Sequence, residues 1–485
     1  MKIYPFPEEY EKQSSDFIVS CNGENIPVYS CDVSAYPLNQ VWKGKQREFR
    51  QTEQTAFVML GSAGTVKLDI KPSNTFEKVT IRPLSKNIQS VFKNGNISIE
   101  FPGTGQYSIE FDNMHNTLTV FINPETEFTV SDSDILYFGT GVHIVDERID
   151  LKDNQTIFID EGAVLYGSIN AIDKKNIKVV GYGIIDNSRM RRANEINGCA
   201  ILDPNAGELT GNPIFFNRCE NVIIDGVTIV NSSGWNIYLD GCKDVKINNI
   251  KIIGQWRYNA DGCDFCNCTN GTIENSYLRT FDDCITVKGF KLNNFLPVQN
   301  ILAKNCILWC DWGRAIEVGA ETCAPYISDI VFEDCDIIHG SAVMLDIQHG
   351  DRAEISNVHF ENIRIEYSGE EQKLALQKKE NEEYPYFGVE SVPIPFVLAS
   401  GVTMWSIDDY AGDMHNIYFK NIKITTHKPV LLQGSKILSK DEESIIRGVY
   451  FENITINDKP CDFDVIGLEI GNNVNEVYYN NSKIL

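Results

Sequence analysis

One short pattern recurs along most of this chain and limits what it can fold into. It consists of an apolar residue, any residue, an apolar or aromatic residue, any residue, and then Asn, Asp or Gly. Most copies follow one another after 23 to 32 residues, with one longer step of 59. A fixed step of this size is typical of stacked units that bury their apolar faces only against each other. The copies are NVIIDG from Asn221, DVKINN from Asp244, NGTIEN from Asn270, NILAKN from Asn300, DIVFED from Asp329, NVHFEN from Asn357, NIYFKN from Asn416, GVYFEN from Gly448 and EVYYNN from Glu476.

Each unit contains short alternating strands broken by Gly, Asn and Asp, and no amphipathic helix separates the units. The Leu-rich signature of a leucine-rich repeat is absent, and a propeller blade would need a longer step. The sequence therefore predicts an all-β chain whose residues 129–485 form a right-handed parallel β-helix. The Asn or Asp that recurs at each turn suits a left-handed backbone conformation, and these side chains are expected to stack from coil to coil.

Two regions depart from the repeat. Residues 1–128 alternate in a β manner, as in TAFVMLGSAGTVKLDIKP, and predict a separate N-terminal β-sandwich. The 59-residue step contains GEEQKLALQKKENEEYPYF, from Gly369 to Phe387, which is charged and then aromatic. This stretch is interpreted either as a solvated loop or as a lid beside a groove, within residues 367–400.

Charge and composition narrow the possible partners. The net charge of −24 disfavours nucleic acid and anionic membranes, because both bind basic surfaces. The start of the chain has no signal-peptide pattern and no stretch is apolar enough to span a membrane, so a cytoplasmic location is expected unless a signal was removed. The oligomeric state stays open.

The chain has 14 cysteines and seven histidines. Many of the cysteines fall at equivalent points of the repeat and no CxxC pairs with a second one, which predicts small buried fillers rather than a zinc site or a disulfide scaffold. No cofactor and no metal are expected.

The stretch RTFDDCITVKG, from Arg279 to Gly289, sets two aspartates side by side directly before a strand. Aligning the coils on this strand pairs ADGCDF (Ala260 to Phe265) with DDCITV (Asp282 to Val287), and then with GRAIEV (Gly313 to Val318) and GSAVML (Gly340 to Leu345). Asp261 and Asp283 then share one column, one coil or about 4.8 Å apart. The full column is predicted to hold Trp235, Asp261, Asp283, Arg314 and Ser341.

Three carboxyl groups this close cannot all ionise freely, so at least one pKa must rise. A protonated Asp282 could then donate to a leaving oxygen while ionised Asp261 and Asp283 activate a water, as glycoside hydrolysis requires. The structural alternative is a cation site or a set of turn-capping aspartates.

The motif NADGCDF followed by FDDCITV resembles the polygalacturonase (pectinase) family of glycoside hydrolases, family 28. The resemblance implies a right-handed parallel β-helix of the pectin-lyase type and an inverting mechanism. It also implies that Asp282 is the general acid and that Asp261 with Asp283 holds and deprotonates water.

The chain departs from the family pattern where that family reads its substrate. Arg314 stands where the family has His, and Glu317 where it has Ser. Met344 and Asp346 stand where the family's Arg-Ile-Lys grips a uronate carboxylate, so a charged sugar would meet an acid instead. We therefore expect a neutral α-linked glycan. The sandwich before the helix and the Trp-Gly after the paired Asp are also similar, more loosely, to dextranase-type enzymes of family 49.

Several other residues are candidates for substrate binding. Trp235 and Trp312 could stack on a sugar face or simply pack. Asp264 is aligned with Tyr238, Thr286, Glu317 and Met344, and could bind a hydroxyl or orient Asp261. The complete predicted substrate-binding set is Arg314, Asp264, Glu317, Trp235, Trp312, Asp346 and His349.

Three alternatives remain beside the hydrolase of a neutral glycan. One is a true pectinase, acting on galacturonan or rhamnogalacturonan, that reads uronates through Arg314 and Lys288. The others are a Ca²⁺-dependent polysaccharide lyase and a non-catalytic glycan-binding β-helix.

Overall fold

The computed structural model describes residues 1–35, 38–40, 52–93, 95–125, 128, 134–145, 148–190, 211–291, 295–369, 375–377, 394–427, 435–440, 444–461 and 463–485. Within these ranges the helical elements are a single 3₁₀ turn, Leu84–Lys86, and one short α-helix, Phe463–Ile466. Neither is long and apolar enough to cross a membrane. Almost everything else with regular structure is β-strand.

Three long sheets run from Asp134 to Lys483, with 13, 12 and 11 strands, and the chain visits them in turn. Strands that are successive within a sheet pair in parallel, except for the antiparallel last strand of the first two sheets. One strand from each sheet makes one coil, which confirms the predicted right-handed parallel β-helix.

The first sheet contains the apolar repeat found in the sequence. Its strands are Asp134–Phe138, Gln155–Ile159, Lys175–Val180, Glu220–Asp225, Lys243–Asn248, Thr269–Glu274, Val298–Lys304, Tyr326–Glu333, Glu354–Glu361, Met414–Lys420, Ile446–Glu452, Val474–Tyr479 and Ser482–Lys483.

The second sheet faces the N-terminal region. Its strands are Gly141–Ile144, Ala163–Tyr166, Ile184–Asp186, Thr228–Val230, Lys251–Ile252, Tyr277–Thr280, Ile307–Cys310, Asp336–Gly340, Arg364–Tyr367, Lys423–Thr426, Thr455–Ile456 and Lys459–Pro460.

The third sheet carries the predicted acids. Its strands are Ile149–Asp150, Ile169–Ile172, Ile214–Asn217, Ile237–Asp240, Cys263–Cys266, Ile285–Gly289, Ile316–Thr322, Val343–His349, Ile394–Ser400, Lys436–Ser439 and Glu469–Ile470.

The recurring Asn and Asp residues adopt the left-handed conformation that the sequence predicted, as at Asn270 with φ 57° and Asn300 with φ 57°. Their side chains also stack between coils. The amide of Asn221 donates to Asn176 at 2.7 Å, and that of Asn300 donates to Asn270 at 3.1 Å. These ladders satisfy turn groups that water would otherwise have to solvate, so the turns stay in register along the helix.

The interior of the β-helix is one continuous apolar core of Ile, Val, Leu, Phe and Cys side chains from all three sheets. Each buried aliphatic side chain contributes about 1.5–3 kcal/mol relative to exposure. All 13 cysteines in the described ranges are buried and none of them forms a disulfide, as expected for small core fillers.

The N-terminal region forms two further sheets, which pack against each other over an apolar core containing Phe17, Val58, Ile97 and Ile109. One of these N-terminal sheets has the strand order Lys2–Ile3, Thr52–Gly61, Asn113–Asn123, Gly105–Phe111 and Val79–Arg82. Strand Tyr29–Ser34 also pairs with Thr52–Gly61. The other N-terminal sheet has the strand order Glu24–Ile26, Phe17–Cys21, Val66–Pro72, Asn96–Phe101 and Ser90–Lys93.

An aromatic cluster joins these N-terminal sheets to the second sheet of the β-helix. It includes Tyr29, Phe57 and Phe121 from the N-terminal side, and Tyr277 and Trp309 from the helix. The described part of the N-terminal region therefore packs against the second sheet.

The charged and aromatic stretch from Gly369 to Phe387 lies largely outside the described residues, so the predicted lid or loop within 367–400 is not tested. One described piece of it, Ala375–Gln377, pairs in parallel with Leu38–Gln40 of the N-terminal region.

Candidate active site

The predicted acids lie in tight turns that enter neighbouring strands of the third sheet. Cys263 pairs with Ile285, so Asp261 and Asp283, two residues earlier on each strand, occupy one column as predicted. The backbone continues the ladder through this turn, because the amide of Gly262 donates to the carbonyl of Asp283 at 2.7 Å. Strand pairing therefore fixes the spacing of the two carboxyl groups.

Asp283 is the most heavily contacted of the three acids. Its Oδ1 accepts a 2.7 Å hydrogen bond from the backbone amide of Arg314, and its Oδ2 lies 3.8 Å from Nζ of Lys288. Asp282 turns back on the chain, and its Oδ1 accepts from the amide of Asp283 at 3.1 Å.

Gly313 explains how two carboxyl groups fit side by side. A Cβ at this position would lie 2.4 Å from Oδ1 of Asp282 and 2.4 Å from Oδ1 of Asp283. Those two oxygens are therefore no farther apart than twice that distance, and only glycine leaves the space that both need.

The surroundings drive the pKa values of the paired aspartates in opposite directions. Burial raises the pKa of Asp282 well above its usual range, and the neighbouring charge of Asp283 raises it further. Burial also acts to raise the pKa of Asp283, but Lys288 and Arg314 together outweigh it and hold that pKa below its ordinary value. One carboxyl thus retains its proton at a pH where its neighbour is ionised, which supplies an acid and a base in one site.

Asp261 and Glu317 resemble Asp282 in that the pKa of each carboxyl group is raised, which favours the protonated form. Burial, followed by the charges of Asp264, Asp282 and Asp283, raises the pKa of Asp261 well above its usual value. Burial and the charge of Asp283 do the same for Glu317. Oδ1 of Asp261 and Oε1 of Glu317 are buried with no hydrogen-bond partner among the described residues.

Behind these acids lie two more, Asp264 and Asp346, both fully buried. The hydroxyl of Thr286 donates to Asp264 at 2.6 Å, and Nε of Arg314 donates to Asp346 at 3.3 Å. Burial raises the pKa of Asp264 to about 7 and raises the pKa of Asp346 as well. Neither side chain lines the cleft.

The alignment of the fifth coil was wrong by two residues. Glu317 pairs with Asp346, not with Met344, and Ser341 does not share the column of Asp283 and Arg314. The sequence alignment was anchored on Gly340, but that glycine pairs with Cys310 across a register shift in the second sheet. The predicted neighbours Tyr238, Asp264, Thr286 and Glu317 do share one column.

Aromatic side chains flank the acids on two sides of the cleft. Trp312 stacks on Phe281 with ring centres 5.7 Å apart and meets Tyr258 edge-on at 5.5 Å. Trp235 packs against Tyr238 at 4.8 Å, and Nζ of Lys288 lies 5.3 Å from its ring centre.

The cleft encloses about 410 Å³, including space open to solvent. It brings together seven of the predicted site residues, and it leaves out Asp264, Asp346 and His349. The residues that line it are Trp235, Tyr258, Asn259, Asp261, Asp282, Asp283, Lys288, Trp312, Arg314, Glu317, Ala320, Glu321 and Trp405.

His349 lies beneath the cleft rather than in it. Its ring is 1% exposed, and its Nδ1 lies 3.0 Å from the hydroxyl of Thr322. Burial lowers its pKa to about 4, so the ring is neutral near pH 7. His349 was predicted to bind substrate, but its buried ring does not line the cleft.

Sequence reasoning gave no primary role to Lys288 and missed Glu321 and Trp405. Lys288 had a usable signal, since it is a charge in an otherwise apolar strand, ITVKG, and a buried charge needs a partner. Glu321 and Trp405 had none. Glu321 sits where the ladder between Ile285–Gly289 and Ile316–Thr322 shifts register, and Trp405 comes from a loop two strands farther along the sheet.

Among the described residues, no group of three or more His, Cys, Asp or Glu side chains is arranged to hold a metal ion.

Solved structures with the same fold support the architecture. Dex49A from Penicillium minioluteum matches with a TM-score of 0.66 at 15% identity, covering 96% of this chain and 92% of the other. The polygalacturonase from Erwinia carotovora ssp. carotovora matches with a TM-score of 0.50 at 13% identity, covering 72% and 91%. Both likenesses are to the fold, and they agree with the two resemblances drawn from the motifs.

Curated relatives match over a shorter stretch. Probable exopolygalacturonase B of Aspergillus terreus is 28% identical over 208 residues, which are 40% of this chain and 45% of the relative. Probable rhamnogalacturonase A of Aspergillus oryzae is 22% identical over 230 residues, which are 47% of each. The matched stretch thus spans slightly less than half the length of these relatives.

The family profile described as "Glycosyl hydrolases family 28" matches residues 127–376. That interval is more than half of the chain and contains the acid cluster, both flanking tryptophans Trp235 and Trp312, and the strands that position them. The chain belongs to glycosyl hydrolase family 28.

Proposed function

We propose that this protein is an inverting glycoside hydrolase that cleaves a neutral α-linked oligosaccharide or polysaccharide. The observation that carries the proposal is the opposite perturbation of two adjacent carboxyl groups, the raised pKa of Asp282 and the lowered pKa of Asp283. Asp282 donates its proton to the glycosidic oxygen as the bond to the anomeric carbon breaks. Asp283, the acid with the lowered pKa, takes the proton from a water that it holds together with Asp261 as the new bond to that carbon forms.

The charges around the cleft support a neutral substrate. The described part of the cleft contains two cations, Lys288 and Arg314, and both already contact acids. Lys288 lies 3.4 Å from Glu321, and Arg314 lies 3.3 Å from Asp346. A uronate carboxylate would have to compete with these buried acids for either cation and would add charge to an already acidic site.

Galacturonan is the second candidate, and a specific observation favours it. The curated relatives carry the names exopolygalacturonase and rhamnogalacturonase. The side chain of Arg314 is 30% exposed and uses only Nε in its contacts with Asp346 and Glu317, so its terminal nitrogens could reach a uronate.

The stereochemistry has its own test. Oδ1 of Asp282 and Oδ1 of Asp283 lie closer than the roughly 6.5–9.5 Å typical of inverting enzymes, so inversion rests on the family resemblance and on the paired acids that hold water. Proton NMR of the first product should show the inverted anomer. A retained anomer would overturn the water-activating role of Asp261 and Asp283.

The decisive experiment is a panel of glycans incubated with the full chain. The panel contains α-1,4-, α-1,6- and α-1,3-glucans, polygalacturonate and rhamnogalacturonan, each with and without EDTA. New reducing ends from a neutral α-glycan, without ultraviolet absorbance, support the proposal. Reducing ends from polygalacturonate alone support the second candidate. An EDTA-sensitive product that absorbs in the ultraviolet indicates a lyase, and no product from any glycan would contradict hydrolysis.

A further inference from the structure

Residues 401–412, here called the 401–412 loop, expose an unusual amount of apolar surface beside the cleft. Five large apolar side chains within nine residues are exposed, although solvent-exposed loops are normally polar. They are Val402, Met404, Trp405, Ile407 and Tyr410.

Only one of these five reaches the acids. Trp405 lines the cleft next to Ala320 and Glu321, and its side chain is still 39% exposed. A large aromatic ring that is half in a polar cleft and half in water has a free face, and such a face suits the C–H side of a sugar ring.

Hydrogen bonds fix the loop to the same strand that carries Glu321. The carboxylate of Asp351 is fully buried; its Oδ1 accepts from the amides of Ile407 at 2.6 Å and Asp408 at 2.8 Å. Its Oδ2 accepts from the amide of Thr322 at 2.8 Å. One carboxylate therefore ties the loop to the residue that follows Glu321.

A second set of contacts sets the backbone at the tryptophan itself. The hydroxyl of Thr403 accepts from the amide of Trp405 at 3.1 Å, and the amide of Thr403 donates to the hydroxyl of Ser406 at 2.9 Å. Arg352 forms an ion pair with Asp408 on the far side of this turn. The backbone that carries the indole is thus held in place before any ligand arrives, which lowers the entropic cost of stacking a sugar on it.

Trp235 and Trp405 lie on opposite sides of the acids along the β-helix. Trp235 lies one coil before Asp261, and the same column continues through Asp283 and Arg314, with neighbouring strands about 4.8 Å apart. Trp405 is outside this column, because the 401–412 loop leaves the far end of strand Ile394–Ser400, two strands beyond the one that follows Arg314. A glycan that runs along the β-helix through the cleft would meet Trp235 before the acids and Trp405 after them.

We propose that Trp405 is a substrate-binding residue whose indole stacks on a neutral pyranose ring, on the side of the acids opposite Trp235. The inference rests on the proposed glycoside hydrolase function and adds the class of sugar at one position. Glu321, which lines the same cleft, disfavours a uronate by charge repulsion and can accept hydrogen bonds from sugar hydroxyls instead.

The test measures equilibrium binding, so it does not depend on turnover. Full-length protein carrying Asp282→Asn is titrated calorimetrically with maltotetraose, isomaltotetraose, nigerotetraose and tetragalacturonate. Trp405→Ala in that background should weaken binding of the neutral tetrasaccharide by about tenfold. Trp405→Phe should recover most of the loss. Met404→Ala, an exposed neighbour outside the cleft, should change affinity less than twofold.

Three results would overturn the proposal. They are equal affinity in the Trp405→Ala and Met404→Ala proteins, absence of binding by every neutral probe, and preferential binding of tetragalacturonate that Trp405→Ala weakens. The exposed apolar loop could instead bind a second copy of the chain, and analytical ultracentrifugation tests this. A dimer that Met404→Ser and Val402→Ser dissociate would assign the apolar loop to self-association and would also overturn the proposal.

The failure of this inference differs from the failure of the proposed function. If the wild-type chain hydrolyses a neutral glycan and Trp405→Ala binds it normally, only the inference fails. If a neutral tetrasaccharide binds through Trp405 and no glycan is cleaved, only the hydrolase function fails.

Discussion

The backbone amide of Arg314 donates a 2.7 Å hydrogen bond to Oδ1 of Asp283, which lies on the preceding coil. The side chain of the same arginine contacts Asp346 on the following coil. The backbone amide and the positive charge of Arg314 therefore favour the ionised form of Asp283. The guanidinium group itself forms an ion pair with Asp346. The protonation pattern of the cleft follows from how three consecutive coils are stacked.

Replacing Gly313 with alanine should disable the site while the fold survives. The added Cβ would lie 2.4 Å from one oxygen of each of Asp282 and Asp283, so the two carboxyl groups must move apart. We expect a loss of at least about 100-fold in kcat, since such displacements disturb both acid and base. The expected loss of unfolding free energy is only about 1–3 kcal/mol. Gly64→Ala, which meets no atom within 4 Å, is the matched control, and normal turnover by Gly313→Ala would contradict this geometry.

Asp282→Asn should stabilise the protein near neutral pH. Because burial and Asp283 raise the folded-state pKa of Asp282, its ionisation opposes folding at every pH above the unfolded value of about 3.9. Removing the charge should therefore increase the free energy of unfolding at pH 7. The gain should shrink as the pH approaches 4.

Urea unfolding at pH 4 and pH 7 measures this effect. Asp409→Asn, at an exposed position, serves as the control and should leave stability unchanged at both values. A destabilised Asp282→Asn protein at pH 7 would show that this carboxyl is ionised and well paired in the native state.

Lys288→Met should move the acidic limb of the pH–rate profile. Asp283 must be ionised to act as a base, and Lys288 is the largest influence that lowers its pKa against burial. Without the ammonium the pKa of Asp283 rises, so kcat/KM should begin to fall at a higher pH than in the wild type. Lys288→Arg keeps a cation and should keep the profile near that of the wild type. An unshifted acidic limb in a folded Lys288→Met protein would assign the base to another group.

Glu366→Ala should loosen the junction between the N-terminal sheets and the β-helix. Glu366 accepts from Nη1 of Arg82 at 2.6 Å and from the amide of Leu84 at 2.6 Å, and Arg82 also donates to Glu110 at 2.8 Å. Removing one partner of a buried pair costs about 3–5 kcal/mol of unfolding free energy. Thermal and urea unfolding should show that loss.

The matched control for the junction is Glu361→Ala, because Glu361 forms a partly exposed pair with His359. It should cost at most about 1 kcal/mol. Equal effects of the two substitutions would mean that the junction contributes little to stability, and that the N-terminal sheets fold independently of the β-helix.

The β-helix and the column that contains Asp261 and Asp283 could be predicted from the sequence because both follow from the number of residues in each coil. The step between repeats gave the coil length, and the 22 residues from Asp261 to Asp283 equal one coil. The turn residues were equally readable, since Asn and Asp tolerate left-handed backbone better than other side chains.

The positions of Asp346, Glu321 and Trp405 could not be predicted from the sequence, because they depend on irregular strand pairing and on contacts between distant residues. Gly340 ends strand Asp336–Gly340 of the second sheet and pairs with Cys310, so aligning it with Gly313 misplaced Asp346. Glu321 reaches the cleft because the ladder shifts at the end of strand Ile316–Thr322, and Trp405 reaches it because Asp351 holds its loop there. Neither a bulge nor a loop anchor leaves a periodic signal.

The role of Asp282 as the general acid is the central claim, and a change of leaving group tests it most directly. The rates of wild-type and Asp282→Asn proteins are compared on the cleaved oligosaccharide and on the α-glycosyl fluoride of the same sugar, whose fluoride needs no proton to depart. The account predicts a loss of about 10²–10⁴-fold on the oligosaccharide and near-normal hydrolysis of the fluoride, with Asp283→Asn losing both. Equal losses of Asp282→Asn on the two substrates would contradict it.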